Sequence, residues 1–372
     1  MTQDRRELLR GGAALSLAAV FPSFAVPSIA LAQSVFDPRP DAWRTFQIVT
    51  RLEVAKPDGK VQAWVPLPSV HDADWSRPGG STWTTNAKTA AVEREPKYGA
   101  EMLHVEWAEA ERTPFVEVTS RVTTRDRAVD LAQPPGAAPL TATERKFYLE
   151  STDLIPTHGI VKETADTITA NASTEIEKAH AIYDWIVENT YRDPKVRGCG
   201  VGDIAAMLQS GNLGGKCADL NALFVGLARA SNLPARDLYG LRVAPSRFGY
   251  KSLGVGSDTV TKAQHCRAEI YLTGIGWVPV DPADVRKVVL EEPPGNLVRD
   301  DAKVAAARRA LLGAWEGNWV AYNQAHDIAL PGAKGPRLGF LMYPQAETAA
   351  AALDCLDPDT FKYTIKASEV SV

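Results

Sequence analysis

From Arg44 the chain alternates, with Phe46, Ile48, Thr50, Leu52 and Val54 on one side and Gln47, Val49, Arg51 and Glu53 on the other. A period of two is the repeat of a half-buried strand. Pro57-Asp58-Gly59 supplies a turn, and Val61, Ala63, Val65 and Leu67 resume the alternation, which predicts a hairpin. Leu103, Val105 and Trp107, then Val116, Val118 and Val122, carry the same spacing onward. Residues 40–128 therefore read as a small antiparallel β-domain with one face packed and one wet. Its expected bounds are 33–132. The stretch Gln133-Pro134-Pro135-Gly136-Ala137-Ala138-Pro139 cannot hold regular structure and is read as a linker over 133–139.

Beyond the linker the period becomes 3.6. Ile176, Ala179, Ile182, Tyr183, Ile186 and Val187 form an apolar stripe, and Thr174 with Glu177 three residues later signs the helix start as a capping box. A second helix is expected from Asp203 to Gly211. A third begins near Cys217, turns Leu220, Leu223, Phe224 and Leu227 inward, and ends before Asn232-Leu233-Pro234. Strands are then read at 238–243, 265–272 and 277–280, separated by a Gly- and Ser-containing loop over 245–264 that is a candidate lid. A further helix is expected at about 302–315, on Val304, Ala307, Leu311, Leu312 and Trp315. The second domain is assigned to 140–330, with terminal strands and a tail over 331–372. The fold class is α+β.

At 372 residues, 45% hydrophobic and 23% charged, the composition is globular, and at roughly 100–200 residues per domain it suits two or three domains. Forty-one basic against 45 acidic residues, with no Lys/Arg run, leave no footprint for nucleic acid. Cys199, Cys217, Cys266 and Cys355 are too scattered for a disulfide framework and form no C-x-x-C pair. His71, His104, His158, His180 and His326 lack ligand spacing, and no acidic loop has calcium spacing, so neither metal nor cofactor is expected. Residues 211–216 superficially look like a phosphate loop, but the spacing is one short and Cys replaces Ser/Thr. Residues 198–202 fail as a dinucleotide fingerprint because no buried strand precedes them, and are read as a turn near the rim of a site.

Residues 1–32 resemble a twin-arginine export signal: Asp4-Arg5-Arg6-Glu7-Leu8-Leu9-Arg10 leads into an uncharged stretch, and Ala30 and Ala32 offer a cleavage site before Gln33. The stretch is weakly hydrophobic, which favours a cleaved signal over a retained anchor. Removing Asp4, Glu7, Arg5, Arg6 and Arg10 takes the net charge from −4 to −5. The expected compartment is periplasmic or secreted, with no stable membrane insertion after cleavage. A working thiol there must escape disulfide capture.

The chemistry concentrates in three places. Cys217 opens its helix, where the dipole favours a thiolate; Gly214-Gly215 precede it to let the chain turn, and Lys216 adds a positive charge. Asp219 suits the dipole but opposes the thiolate, so it is given a capping role. A thiolate needs an imidazole to hold the ion pair and protonate the leaving amine, and the imidazole needs a carboxylate to fix its tautomer. His265 and Asp281 meet that need if one hairpin joins them. A three-residue loop at 272–274 sets them opposite each other; a four-residue loop sets Asp281 against Ala268 and requires a bulge.

Gly215-Lys216-Cys217-Ala218-Asp219-Leu220-Asn221-Ala222-Leu223-Phe224 with Leu233-Pro234-Ala235-Arg236, then His265-Cys266-Arg267-Ala268-Glu269-Ile270-Tyr271-Leu272 and Gly276-Trp277-Val278-Pro279-Val280-Asp281-Pro282, resemble the three blocks of the transglutaminase-like superfamily. The resemblance covers roughly residues 140–330. It implies a papain-like α+β core preceded by an extra β-domain, with Cys217 as nucleophile, His265 as base and Asp281 as its orienter. It implies a peptide or protein substrate. Activities in the family divide among peptide or amide hydrolysis, acyl transfer to amines, and binding modules without catalysis; hydrolysis through a thioester is the reading taken here. Cys266 departs from the family pattern and is expected on the opposite strand face from His265. The Cys217 amide is one oxyanion donor, and Gln209 and Asn212 are weak candidates for the second. Cys199 and Cys266 are the thiol pair to test for a disulfide.

Overall fold

The computed structural model describes residues 35–133 and 135–371. The expected signal segment lies outside the described residues. The N-terminal alternation folds as two four-stranded antiparallel sheets. The first runs Tyr363–Val370, Arg44–Glu53, Phe115–Thr124, Ser76–Thr85 across its width. The second runs Gln345–Glu347, Val61–Leu67, Glu101–Trp107, Thr89–Arg94. Each sheet takes its edge strand from the C-terminal end of the chain. Phe46, Ile48 and Leu52 pack with Val65, Val105, Val118 and the C-terminal Tyr363, Ile365 and Ala367 in one apolar core. Leu241 and Val320 of the later sheet, with the adjoining Val243, enter the same core, while a second, larger apolar cluster fills the helical half.

The helical half is built around Cys217–Ala230, in which every residue except Asp219 is buried. Beyond the expected inward face, the helix is covered on its other sides too: helices Ile160–Thr169, Glu175–Asn189 and Pro282–Glu291 and strand Gln264–Leu272 all pack on it. Its small residues, Ala218, Ala222, Gly226 and Ala228, let those neighbours close in, and its buried polar residues, Asn221 and Arg229, are hydrogen-bonded to Cys266 O and Ala235 O. Thr174 and Glu177 form the expected capping box, and the Asp203 and Gly211 signals bound helix Ile204–Ser210. The helix expected to reach 315 stops at Ala310. Ala314 and Trp315 pair instead with Ala128 and Arg127, and the intervening Gly313 amide donates to Pro279 O. The helix Pro282–Glu291, capped by Asp281, was not foreseen.

A third antiparallel sheet, ordered Gly276–Val280, Gln264–Leu272, Ala235–Arg242, Trp319–Asn323, lies against the central helix. This mixed arrangement of helices and antiparallel sheets is the α+β class expected. None of the described helices is long and apolar enough to cross a membrane.

Candidate active site

Cys217 is the first residue of its helix, after Lys216 as N-cap. The helix start is fixed by Asp219, whose carboxylate accepts from the Lys216 amide at 2.9 Å and from the Val201 and Gly202 amides at 3.0 and 2.9 Å. That carboxylate thus ties the helix to the turn 198–202. Gly200 in that turn sits at φ +95, and a Cβ there would stand 1.8 Å from Asp219 Oδ2, so only glycine fits. The turn then presents Cys199, whose carbonyl accepts from the Ala218 amide at 2.9 Å. Gly214 and Gly215 lie outside the left-handed region, contrary to the tight-turn expectation. They are small because Tyr191 and Asp219 press against them.

His265 comes from the strand Gln264–Leu272, and its Nε2 lies 2.8 Å from Asp281 Oδ2, with both side chains buried. The register follows neither loop expected. Leu272 faces Gly276 around Gly274 at φ +80, and the ladder ends at Ala268 opposite Val280. Asp281 lies one residue past the ladder, as the N-cap of the next helix, and its Oδ1 accepts from the Asp284 amide at 3.0 Å and Asn221 Nδ2 at 3.2 Å. The carboxylate is thereby aimed diagonally at His265 instead of directly across from it. With Nε2 occupied by Asp281, Nδ1 is the ring nitrogen left for the sulfur.

Burial opposes ionisation of Cys217, but hydrogen bonds from Cys199, Cys266 and His265, together with the imidazole's charge, hold its pKa well below the ordinary thiol range. The neighbours move oppositely. Cys199 is pushed up chiefly by its hydrogen bond to Cys217, and Cys266 chiefly by burial. Burial and Arg242 lower the His265 pKa, yet Asp284 and Asp281 outweigh them and leave it above its ordinary value. Asp281 itself is raised by burial and by Asp284, against the pull of His265 and Arg267. Lys216 contributes less directly than expected, since its Nζ is held by Val196 O at 2.6 Å.

Several members of the site carried no sequence signal. Asp284 lies 3.5 Å from His265 Nε2 and is gripped by Arg242 at 2.5 and 2.6 Å. Against burial, Arg242 holds the Asp284 carboxyl well below the usual range. Arg267 stands 3.6 Å from Asp281 and over the Trp315 and Trp319 rings, while Trp319 Nε1 donates to His265 O at 2.9 Å. A cavity of about 540 Å³ opens onto Cys217 and His265 and is lined further by Cys199, Tyr343, Arg192, Lys216, Lys262 and Lys287, with no carboxylate. Gln209 and Asn212 do not line it, and Asn212 Oδ1 is engaged by Tyr191 and Gly214. Residues 254–256 and 259–264 of the loop read as a lid form one wall of the cavity. Val260 and Asp258 tie that wall to the C-terminal strand, through bonds with Ile365 and Ala367. Cys199 and Cys266, the pair singled out for a disulfide, are both free thiols, as are Cys217 and Cys355.

The model of the transglutaminase-like superfamily core matches residues 162–282. An uncharacterised protein of Haemophilus influenzae is 37% identical over 320 residues, spanning 82% of this chain and 85% of its own. Among solved structures, a candidate cysteine protease from Cytophaga hutchinsonii is 14% identical and superposes with a TM-score of 0.54 over 89% of this chain and 92% of its own. The periplasmic domain of TgpA from Pseudomonas aeruginosa is 13% identical with a TM-score of 0.34, over 69% and 94%.

Proposed function

Because the chain belongs to the transglutaminase-like superfamily, we propose that it is an exported thiol enzyme that hydrolyses amide or peptide bonds through a Cys217-His265-Asp281 triad. The observation that carries this reading is the 2.8 Å His265–Asp281 contact beside a buried, helix-initial sulfur that opens onto a cavity. The Cys217 thiolate attacks the carbonyl, and its own backbone amide at the helix start is the donor assigned to the developing oxyanion. His265, held protonated by two carboxylates, gives its proton to the departing amine. Water then attacks the thioester with His265 as base.

Transfer to an amine is the competing outcome at the thioester, and it requires a site that keeps water out. The polar, solvent-facing wall with Lys262 favours water. Five lining cations, Arg192, Lys216, Arg242, Lys262 and Lys287, without a lining carboxylate make acidic peptides the first substrates to try. The test is incubation of the chain from Gln33 onward with periplasmic and peptidoglycan-derived peptides, followed by mass spectrometry. A peptide cleaved with gain of water supports hydrolysis, an amine adduct supports transfer, and no change with any peptide under conditions where Cys217 reacts with iodoacetamide overturns the enzyme reading. Export is tested separately by fractionating cells that express the chain with Arg5 and Arg6 intact or replaced by Lys. Equal recovery outside the cytoplasm from both chains would count against the twin-arginine route.

A further inference from the structure

Peptide-bond chemistry needs one sulfur, and this site gathers three. The Sγ atoms of Cys199, Cys217 and Cys266 all lie within 4.8 Å of one another. They come from the glycine turn, the helix start and the histidine strand, so three separate segments of chain converge on one point. Cys199 and Cys217 line the cavity, while Cys266 is fully buried behind them. A fourth sulfur, Met342 Sδ, lies 3.9 Å from Cys266 Sγ.

We propose that Cys199, Cys217 and Cys266 form a three-sulfur binding site for a soft, thiophilic cation of the copper(I) type, and that occupation of the site masks the nucleophile. Metal–sulfur bonds of ~2.3 Å in a trigonal plane set the sulfurs ~4 Å apart. Side chains already within 4.8 Å reach that spacing by moving less than about 1 Å each. Thiolates with a thioether close by select soft cations, while calcium and magnesium require oxygen ligands that this cluster lacks. Zinc in a closed site takes four ligands. The nearest imidazole and carboxylates form their own group, His265, Asp281 and Asp284, already bound to each other and to Arg242.

Each sulfur binds as a thiolate and every proton displaced leaves to solvent, so the step needs no oxidant or reductant. The ligands sit 18 and 49 residues apart along the chain, read from positions 199, 217 and 266, which is why no motif marks them.

The test is anaerobic titration of the chain from Gln33 onward with copper(I) buffered by bicinchoninate, read as metal uptake and as iodoacetamide labelling of Cys217. It asks nothing of turnover, so it stands or falls apart from the hydrolase reading. The expected result is one copper(I) per chain and labelling slowed by about tenfold or more, recovered on adding a stronger chelator. Cys199→Ser and Cys266→Ser should each weaken uptake by about tenfold or more. Cys355→Ser should bind as tightly as the parent chain. Where a serine variant unfolds, X-ray absorption of the parent complex decides: a shell of three sulfurs supports the site, and a shell with nitrogen or oxygen overturns it. Uptake unchanged in both serine variants, or copper bound with Cys217 still labelled at the free rate, also overturns it.

Discussion

Replacing Asp281 by Asn tests the electrostatic link between carboxylate, imidazole and sulfur. Asn keeps an oxygen for the Asp284 amide, so the helix cap survives, since Asn and Asp cap almost equally well. What is lost is a charge-assisted bond of 2.8 Å between two buried groups, worth about 1.5–3 kcal/mol. Asp281 raises the His265 pKa, and the protonated imidazole in turn lowers that of Cys217. Removing the carboxylate therefore makes the imidazole lose its proton more easily and the thiol hold its proton more strongly. The energy corresponds to about one to two pH units. The assay is the rate of iodoacetamide alkylation at Cys217 against pH, followed by peptide mapping. Because Cys199, Cys266 and Cys355 are all pushed upward, alkylation near neutrality reports Cys217. The Asp281→Asn inflection should lie about one to two units above that of the parent chain. An inflection that stays put, or moves down, refutes the ion-pair argument.

Three other outcomes follow from the same geometry. Turnover against pH should be bell-shaped, with an alkaline limb above the ordinary 6.5 of histidine because Asp284 and Asp281 hold the His265 proton; a limb below 6.5 contradicts the assignment. Arg242→Met leaves the buried Asp284 charge with only the more distant His265 and should lose about 3 kcal/mol in urea denaturation, whereas a loss below about 1 kcal/mol would mean the pair is dispensable. Deleting residues 363–372 uncovers the edge of Arg44–Glu53, removes Tyr363, Ile365 and Ala367 from the core, and frees the cavity wall at Val260. That loss is on the order of 5 kcal/mol, so the truncated chain should be degraded far faster by thermolysin; equal protection would place these strands outside the fold's core.

How far the sequence reaches depends on the range over which each signal acts. The helix over 175–189 and the strand over 264–272 were legible because a capping box and an apolar run are local. The blocks around Cys217, His265 and Asp281 stood out by their order and spacing, and the structure brings all three residues together. The hairpin register failed because it turns on one residue: the loop centres on Gly274, and Asp281 leaves the strand to cap a helix. Asp281-Pro282-Ala283-Asp284 has the look of a turn, though its Asp-Pro start is also a helix-entry signal. Arg242, Tyr343 and the pairing of the C-terminal strands with the N-terminal sheets were out of reach, since they join the site or the sheets through contacts far apart in sequence. Thr45 opposite Val370 leaves no trace in either local pattern. The strands Ser76–Thr85 and Thr89–Arg94 are largely exposed and polar, and lack the alternation that betrays a half-buried strand.

The central claim is that the sulfur of Cys217 carries the acyl group. Rapid acid quenching during turnover of a reactive peptide, followed by peptide mapping, measures this directly. The account predicts an acyl adduct on Cys217 that disappears, together with all turnover, in Cys217→Ala. Cleavage, deamidation or amine incorporation persisting in that variant would contradict it.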